Sequence, residues 1–410
     1  MMYDVLCFVS ILLVPFAIAG LSLVNTGLGR SRSAAHAMTS SVCVVGVAVL
    51  VYFTFGFAVQ GPRPIPGASG INSEAGVFLS GMNWDSPAAL SFLLGTFSVA
   101  LAAVIPLGAT ADRWRVGAAC ASTVILAGFT YPLFVRCISV LGRSARIALA
   151  FRLDFIDSGG AASIQTLGGL TALTLAWLIG PRLGKYSRSG MPAAIPAHNG
   201  VFVLFGCWLA WIGWLGLNLA GAMLYIGIES QSAVLIAVNT TFAASAAGLT
   251  AAVVTRVRFR KPDASLIANG WMAGLVASSA GCASFKPAIA ILAGMVAGIL
   301  VVLSVEFFEF TLKVDDPCGS ISVHAVCGLW GLLAAGILAG GTGRLISQLV
   351  GIATLIGFAL PLAYGLNWLL GRFIPHRVSI DGERQGLDLH ELGADAYPEF
   401  VVHADEFMQR

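Results

Sequence analysis

Eleven stretches of this chain contain no Asp, Glu, Lys or Arg: residues 5–29, 33–62, 86–111, 116–135, 158–181, 189–228, 230–255, 264–285, 287–305, 317–343 and 345–371. Hydrocarbon offers no partner to an unpaired backbone group, so a helix of about 20 apolar residues is the element such runs can form in a membrane. In the long sixth run, Pro192 and Pro196 put the helix start near Ala197. A twelfth run, 64–73, is too short and too rich in Gly and Pro to span. Only 10% of the residues are charged, where a soluble domain carries roughly a quarter. The fold class is therefore an all-α polytopic membrane protein with eleven transmembrane helices. Residues 1–371 form the membrane domain and 372–410 a tail. The first run has no basic segment before it and continues to about Val24, so it reads as a span rather than a cleaved signal. The net charge of +3 comes with no basic stripe, which gives no footing for nucleic acid. Eight cysteines lie scattered without ligand spacing, and Cys7, Cys43, Cys207 and Cys327 read as small packing residues. Neither a metal site nor a cofactor is expected.

Charge asymmetry orients the spans. With the N-terminus outside, 16 of the 23 basic residues fall on the inner side, among them Arg30, Arg113, Arg182, Lys185, Arg256 and Lys313. The expectation is a cell-membrane protein with its N-terminus outside and its tail in the cytoplasm. A basic loop at 136–152, outside in this arrangement, runs against the trend.

The chain also repeats itself. Asp157, Gly160, Ser163, Gly169, Leu170, Leu173 and Ala176 recur 159 residues later as Asp316, Gly319, Ser322, Gly328, Leu329, Leu332 and Ala335. The copies open the fifth and tenth spans. Five is odd, so two five-span halves must lie in opposite orientation, roughly 1–188 and 189–343, with span 345–371 outside the duplication. Inverted repeats of this kind place their site near the mid-membrane pseudo-axis. There the second copy carries His324 and the first carries Gln165. A histidine inside 27 uncharged residues is a site candidate, because burying a proton-switching group is costly. Asp316 precedes it by eight residues, roughly 12 Å of helix. That spacing predicts Asp316 as a helix cap with Pro317 in the first turn and His324 more than two turns in, and Asp157 as the matching cap. The plainer alternative makes His324 a neutral residue hydrogen-bonded between helices. Gly159, Gly160, Gly168, Gly169, Gly319 and Gly328 fit close helix approach.

The segments Val314-Asp-Asp-Pro-Cys-Gly-Ser-Ile-Ser-Val-His324-Ala-Val-Cys-Gly, Pro196-Ala-His-Asn199, Trp211-Ile-Gly-Trp-Leu-Gly-Leu-Asn218, Gly95-Thr-Phe97, Gly180-Pro-Arg-Leu-Gly184 and Gly386-Leu-Asp-Leu-His-Glu-Leu-Gly-Ala-Asp-Ala-Tyr-Pro398 resemble those of the ammonium transporter (Amt/Rhesus) family. The resemblance implies a homotrimer with one hydrophobic pore per subunit. It also implies a small-molecule substrate, ammonium or ammonia, and a tail that meets neighbouring subunits and a PII-type signalling protein. In the family, substrate is recruited at an outer vestibule, deprotonated, and passed beyond a gate of two phenylalanines and two facing histidines.

His324 matches the second histidine, and Gln165 falls where the first is expected. Asp157 matches the structural aspartate and Phe97 one gate residue. The other gate position is Leu217. Gly221 stands where the family has a serine, and Ser139 at or near the vestibule tryptophan, beside an unmatched Arg136. An ammonium vestibule relies on an aromatic face and a hydroxyl, and Ser139, Leu217 and Gly221 remove most of that. Glutamine cannot relay a proton near neutral pH, and Arg136 facing the mouth would repel a cation. The leading expectation is a divergent permease for ammonium, ammonia or a related small molecule. A permease for a larger substrate and a non-conducting sensor stand beside it. No nucleophile–base pair or phosphate loop points to an enzyme, and Ser163 and Ser322 read as packing hydroxyls.

Overall fold

The computed structural model describes residues 2–61, 63, 65, 76–148, 155–228, 232–339 and 342–397. Ten of its helices are long and apolar enough to cross a membrane: α1 (Tyr3–Leu28), α2 (Ser31–Gln60), α3 (Pro87–Ala109), α4 (Val116–Ser139), α5 (Ala161–Ile179), α6 (Gly200–Ile226), α7 (Ala233–Phe259), α9 (Pro287–Thr311), α10 (Ile321–Leu338) and α11 (Gly343–Leu370). Between them lies α8 (Ala264–Gly281). Ser265, Asn269, Ser278 and Ser279 make it more polar, and it is enclosed by α6, α7, α9 and α10. With α8 the long helices among the described residues number eleven, in the order the charge-free runs predict.

Packing follows the inverted repeat. α1 lies along α6, and α5 lies against α10. Around these central pairs α3 packs on α2 and α5, as α8 packs on α7 and α10. α11 stands outside both halves and touches α5 and α10. Small residues permit the close central crossings: a Cβ on Gly213 would overlap Ala17, and one on Gly20 would overlap Ala210. The α5–α10 contact is reciprocal. Gly169 abuts Ala325, while Gly328 abuts Thr166, and Thr166 is the repeat equivalent of Ala325. Large apolar side chains such as Val42, Leu50, Phe205, Leu249 and Val253 face outward, as lipid-facing positions do.

Four local expectations need correction. α6 starts at Gly200, capped by the Asn199 side chain on the Phe202 amide at 3.0 Å, rather than at Ala197. The supposed basic loop at 136–152 is largely helix, because α4 continues to Ala148. The side chains of Arg143 and Arg146, and all of Arg152, lie outside the described residues, as does most of the 64–73 run. Pro317 sits in a turn ahead of α10, and His324 comes about one turn into its helix. Gly319 holds φ at +68°, a left-handed conformation that delays the helix start.

Candidate functional site

Both copies of the repeat build the same helix entry. Asp157 accepts from the Ala162 and Ser163 amides at 2.7 and 3.0 Å and from the Ser163 hydroxyl at 2.6 Å. Asp316 accepts from the Ser320 and Ile321 amides at 2.9 and 2.7 Å. Each carboxylate thereby satisfies the free donors of a helix start. Gly160 and Gly319, with φ of +76° and +68°, turn the chain into these helices. Each helix then opens with a π-helical turn, Ala161–Thr166 and Ile321–Val326. Such turns collect at functional positions because they re-aim side chains. Gln165 and His324 lie in them.

The two side chains meet at the pseudo-axis, with His324 Nδ1 2.7 Å from Gln165 Oε1. Both are fully enclosed. An amide oxygen only accepts, so His324 Nδ1 carries the hydrogen, and in the neutral imidazole Nε2 keeps its lone pair. Gln165 Nε2, a donor, is buried with no protein partner. Next to the pair lies a small cavity lined by Leu21, Val24, Asn25, Asn269, Ser320 and His324. The site thus offers one lone pair and one unpartnered N–H, next to a cavity that Asn25, Asn269 and Ser320 also line. A small molecule with both functions would complete it.

The residues expected to line an outer mouth are placed around the Asp157 end of the molecule. Phe97 on α3 is half-buried and Leu217 on α6 is buried. Gly221 does not open volume, since the Ser158 carbonyl occupies the place a side chain would need. The Ser139 hydroxyl is spent on its own helix, donating to the Val135 carbonyl at 2.8 Å. Arg136 is exposed and donates to the Val59 carbonyl at 3.0 Å. A different cation sits at the Asp157 end. The Arg63 guanidinium lies 3.4 Å from the Tyr225 ring centroid and donates to the Asp157 carbonyl at 3.1 Å. Tyr225 is held from below by the Ser91 hydroxyl at 3.2 Å. The sequence does not bring this trio together, because Arg63 counts there only as one of the basic residues of the outer side.

The opposite, tail-bearing face is tied by charge. Arg182 is bidentate on Asp315, at 3.0 and 3.1 Å, and reaches Asp112 at 2.9 Å. Arg113 donates to the carbonyls of Gly180, Ala111 and Asp315 at 2.8, 3.0 and 2.8 Å, where α3 and α5 end. Burial works against the Asp315 carboxylate, yet Arg113 and Arg182 outweigh it and hold the group down at about 2. Burial opposes the charge on Arg182 too, and its two carboxylates more than offset that, so it is raised. Arg113, bound mainly to carbonyls and 3.8 Å from the Asp315 carboxylate, is lowered by burial. The tail helix α12 (Ile380–Gln385) and the turn Asp388–Leu392 dock here. Asp388 accepts from the Ala35 and His36 amides at 3.2 and 2.7 Å. Glu391 accepts from the Val116 amide and meets His36 Nε2, both at 2.9 Å. Burial acts against the Glu391 charge, and the His36 and Val116 bonds keep its carboxyl below its usual value. Among the described residues no group of His, Cys, Asp and Glu could hold a metal ion.

Comparison with known proteins supplies the context. A model of the Ammonium Transporter Family matches residues 5–397. Ammonium transporter Amt2 of Archaeoglobus fulgidus is 33% identical over 96% of this chain and 88% of its own. Ammonium transporter Amt2 of Haloferax mediterranei is 30% identical over 95% and 88%. Among solved structures, a "Sensor Amt Protein" superposes with a TM-score of 0.84 at 24% identity, over 95% of this chain and 98% of that one. Candida albicans Mep2 superposes at 0.79 with 20% identity, over 98% and 92%. These two likenesses carry the fold, and the sequence matches carry the kinship. By the family match across nearly its whole length and the identity to the Archaeoglobus transporter, this multi-pass membrane protein belongs to the ammonium transporter family.

Proposed function

We propose that the chain conducts ammonia, delivered as ammonium that gives up its proton to the solution on the side of entry, through a pore that passes the Gln165–His324 pair. The observation that carries this reading is the pair's unmet chemistry. Ammonia can donate to the His324 Nε2 lone pair and accept from Gln165 Nε2, whereas ammonium has no lone pair with which to accept. Gln165 cannot take up a proton, so the pair favours a neutral guest over a proton relay. Phe97 and Leu217 are the outer constriction in this reading, with Asp157 and Asp316 holding the two half-sites in register. The cavity beside His324 admits about one water-sized molecule, which argues against the larger-substrate alternative.

We read the N-terminus as outside and the tail as cytoplasmic; the basic-residue count and the contact of the tail with the Arg-rich face support this reading. Assembly as a homotrimer rests on the family relationship. The exposed Phe202, Phe205 and Trp208 on α6 supply an apolar face for it. A PII-type partner at the tail rests on the tail motif alone.

Stopped-flow permeability to ammonia and solid-supported-membrane currents on proteoliposomes test the reading together. The expected result is a raised ammonia permeability with little or no ammonium current. A saturable ammonium current equal to the ammonia flux would mean that charge crosses with the nitrogen. Vesicles no more permeable than protein-free lipid would sink conduction altogether and favour a sensor.

A further inference from the structure

Two small voids lie between the Gln165–His324 pair and the tail-bearing face, and Asn25 borders both. One is the cavity at His324, lined also by Asn269, Cys318 and Ser320. The other is lined by Asn25, Ser33, His36, Ser40, Asp112 and Trp114. Each has room for about one water-sized molecule.

Around the second void four buried polar atoms have no partner in the protein: Asn25 Oδ1, Ser33 Oγ, Ser40 Oγ and Trp114 Nε1. Their residues are no more than 4% exposed. Buried polar groups are almost always hydrogen-bonded, so four groups without a protein partner lining one void form a polar site for a small guest. The charged groups at the rim are already committed. Asp112 takes the Arg30 amide at 3.1 Å and Arg182 at 2.9 Å, and His36 Nε2 meets Glu391 at 2.9 Å. What remains is one atom that only donates, Trp114 Nε1, one that only accepts, Asn25 Oδ1, and two hydroxyls that do either. An ammonium ion cannot accept from the indole, and an anion without hydrogens cannot donate to the amide oxygen. The guest is therefore neutral, water-sized, and both donor and acceptor.

Asn25 connects this void to the pore. Its Nδ2 donates to the Val104 carbonyl at 3.2 Å, which fixes the side chain. Its Oδ1 and the Ser320 hydroxyl then converge on Gly108, where an added Cβ would overlap Ser320 Oγ and come 2.5 Å from Asn25 Oδ1. Gly108 lets the Asn25 and Ser320 side chains pack against the α3 backbone here, and Asn25 lines both voids.

We propose that the void between Asn25 and Trp114 is a second binding site for unmethylated ammonia, one molecule deep, reached from His324 by way of Ser320 and Asn25. The inference rests on the reading of the pore as a path for neutral ammonia, and its test separates the two. The full-length protein in lipid vesicles is labelled with ¹⁵N at its indole nitrogens. The Trp114 resonance is assigned by its loss in Trp114→Phe. Ammonium chloride added near pH 9 should shift that resonance, and the half-saturating concentration should rise about sevenfold at pH 8, as the neutral fraction falls. Methylammonium chloride and sodium chloride should leave it in place, and Asn25→Leu should abolish the shift. Identical behaviour in all three salts, or no shift in any, would mean that water alone fills the void and would overturn the site. Ammonia permeability measured on the same vesicles keeps the readings apart. Permeability without the shift sinks the second site only, and the shift without permeability sinks conduction only. In conducting vesicles Asn25→Leu should lower permeability about fivefold, the effect of one lost hydrogen bond.

Discussion

Arg63 covers an aromatic face beside Asp157. Its guanidinium covers the Tyr225 ring, a position a free cation would seek, and the Asp157 carbonyl holds it there. A cation–π contact at a partly exposed site is worth about 1 kcal/mol, so removing the tethered charge should free the aromatic face for solute. Arg63→Ala is expected to lower the half-saturating ammonium concentration about fivefold, and Arg63→Lys to change it little. Concentration dependence of transport in vesicles checks this, and an unchanged half-saturation in Arg63→Ala would show that the ring is not on the solute's path. At the centre, Gln165→Leu removes the acceptor for His324 Nδ1 and leaves a buried N–H unpaired, at about 1–3 kcal/mol. A fall in both thermal stability and ammonia permeability is expected. Normal permeability at reduced stability would make the pair structural only. The facing of positions 165 and 324 was legible in the sequence, since an odd-numbered repeat with matched spacing requires it. The Arg63–Tyr225 contact was not, because it joins a loop to a helix end 162 residues away and leaves no periodic trace.

Among the helices, α5 and α10 bear the closest constraint. Gly169 and Gly328 let each helix meet the other's π-helical turn at backbone distance. Gly169→Val would push α10 away through Ala325, the neighbour of His324, and overpacking of this kind costs about 1–3 kcal/mol. The variant should melt earlier and lose permeability, while Gly357→Ala on α11, with nothing within 4 Å of the new Cβ, should be neutral or slightly stabilising. Equal melting temperatures for the two variants would remove the packing argument. The helices themselves were readable from charge-free runs, because lipid forces every backbone group to be satisfied within its own segment. The entry of α10 was misjudged by about a turn. Gly319 has no side chain to reveal its left-handed backbone, and an Asp-Pro pair suits either a first turn or a turn before it.

At the scale of the molecule, the tail-bearing face is held by Arg113, Arg182, Asp112 and Asp315, which join the ends of α3 and α5 to the segment before α10. The Asp315 carboxyl sits at about 2 when folded, against a usual value of 3.8. A lowered acid contributes stability above its unfolded value and loses it as pH falls through the folded one. Stability should therefore be level above about pH 4 and decline between pH 4 and 2. Asp315→Asn should weaken that decline and cost about 3 kcal/mol at neutral pH, since it strips buried Arg182 of its bidentate partner. Melting curves across pH check both statements, and an unaltered acid decline in the variant would shift the credit to other carboxylates. No sequence pattern announced this cluster, whose members lie 133 and 70 residues apart along the chain. The reciprocal contact at the centre speaks of descent. Gly169 on Ala325 and Gly328 on Thr166 are what two copies of one five-helix protein would form if inserted in opposite senses and paired about a two-fold axis. In such a pair each position is one codon, and both partners must carry the same residue. Gln165 facing His324, and Ile156 where the other half has Asp315, are differences open only to halves written separately. Only halves carried in one chain can give the two sides of the membrane different chemistry.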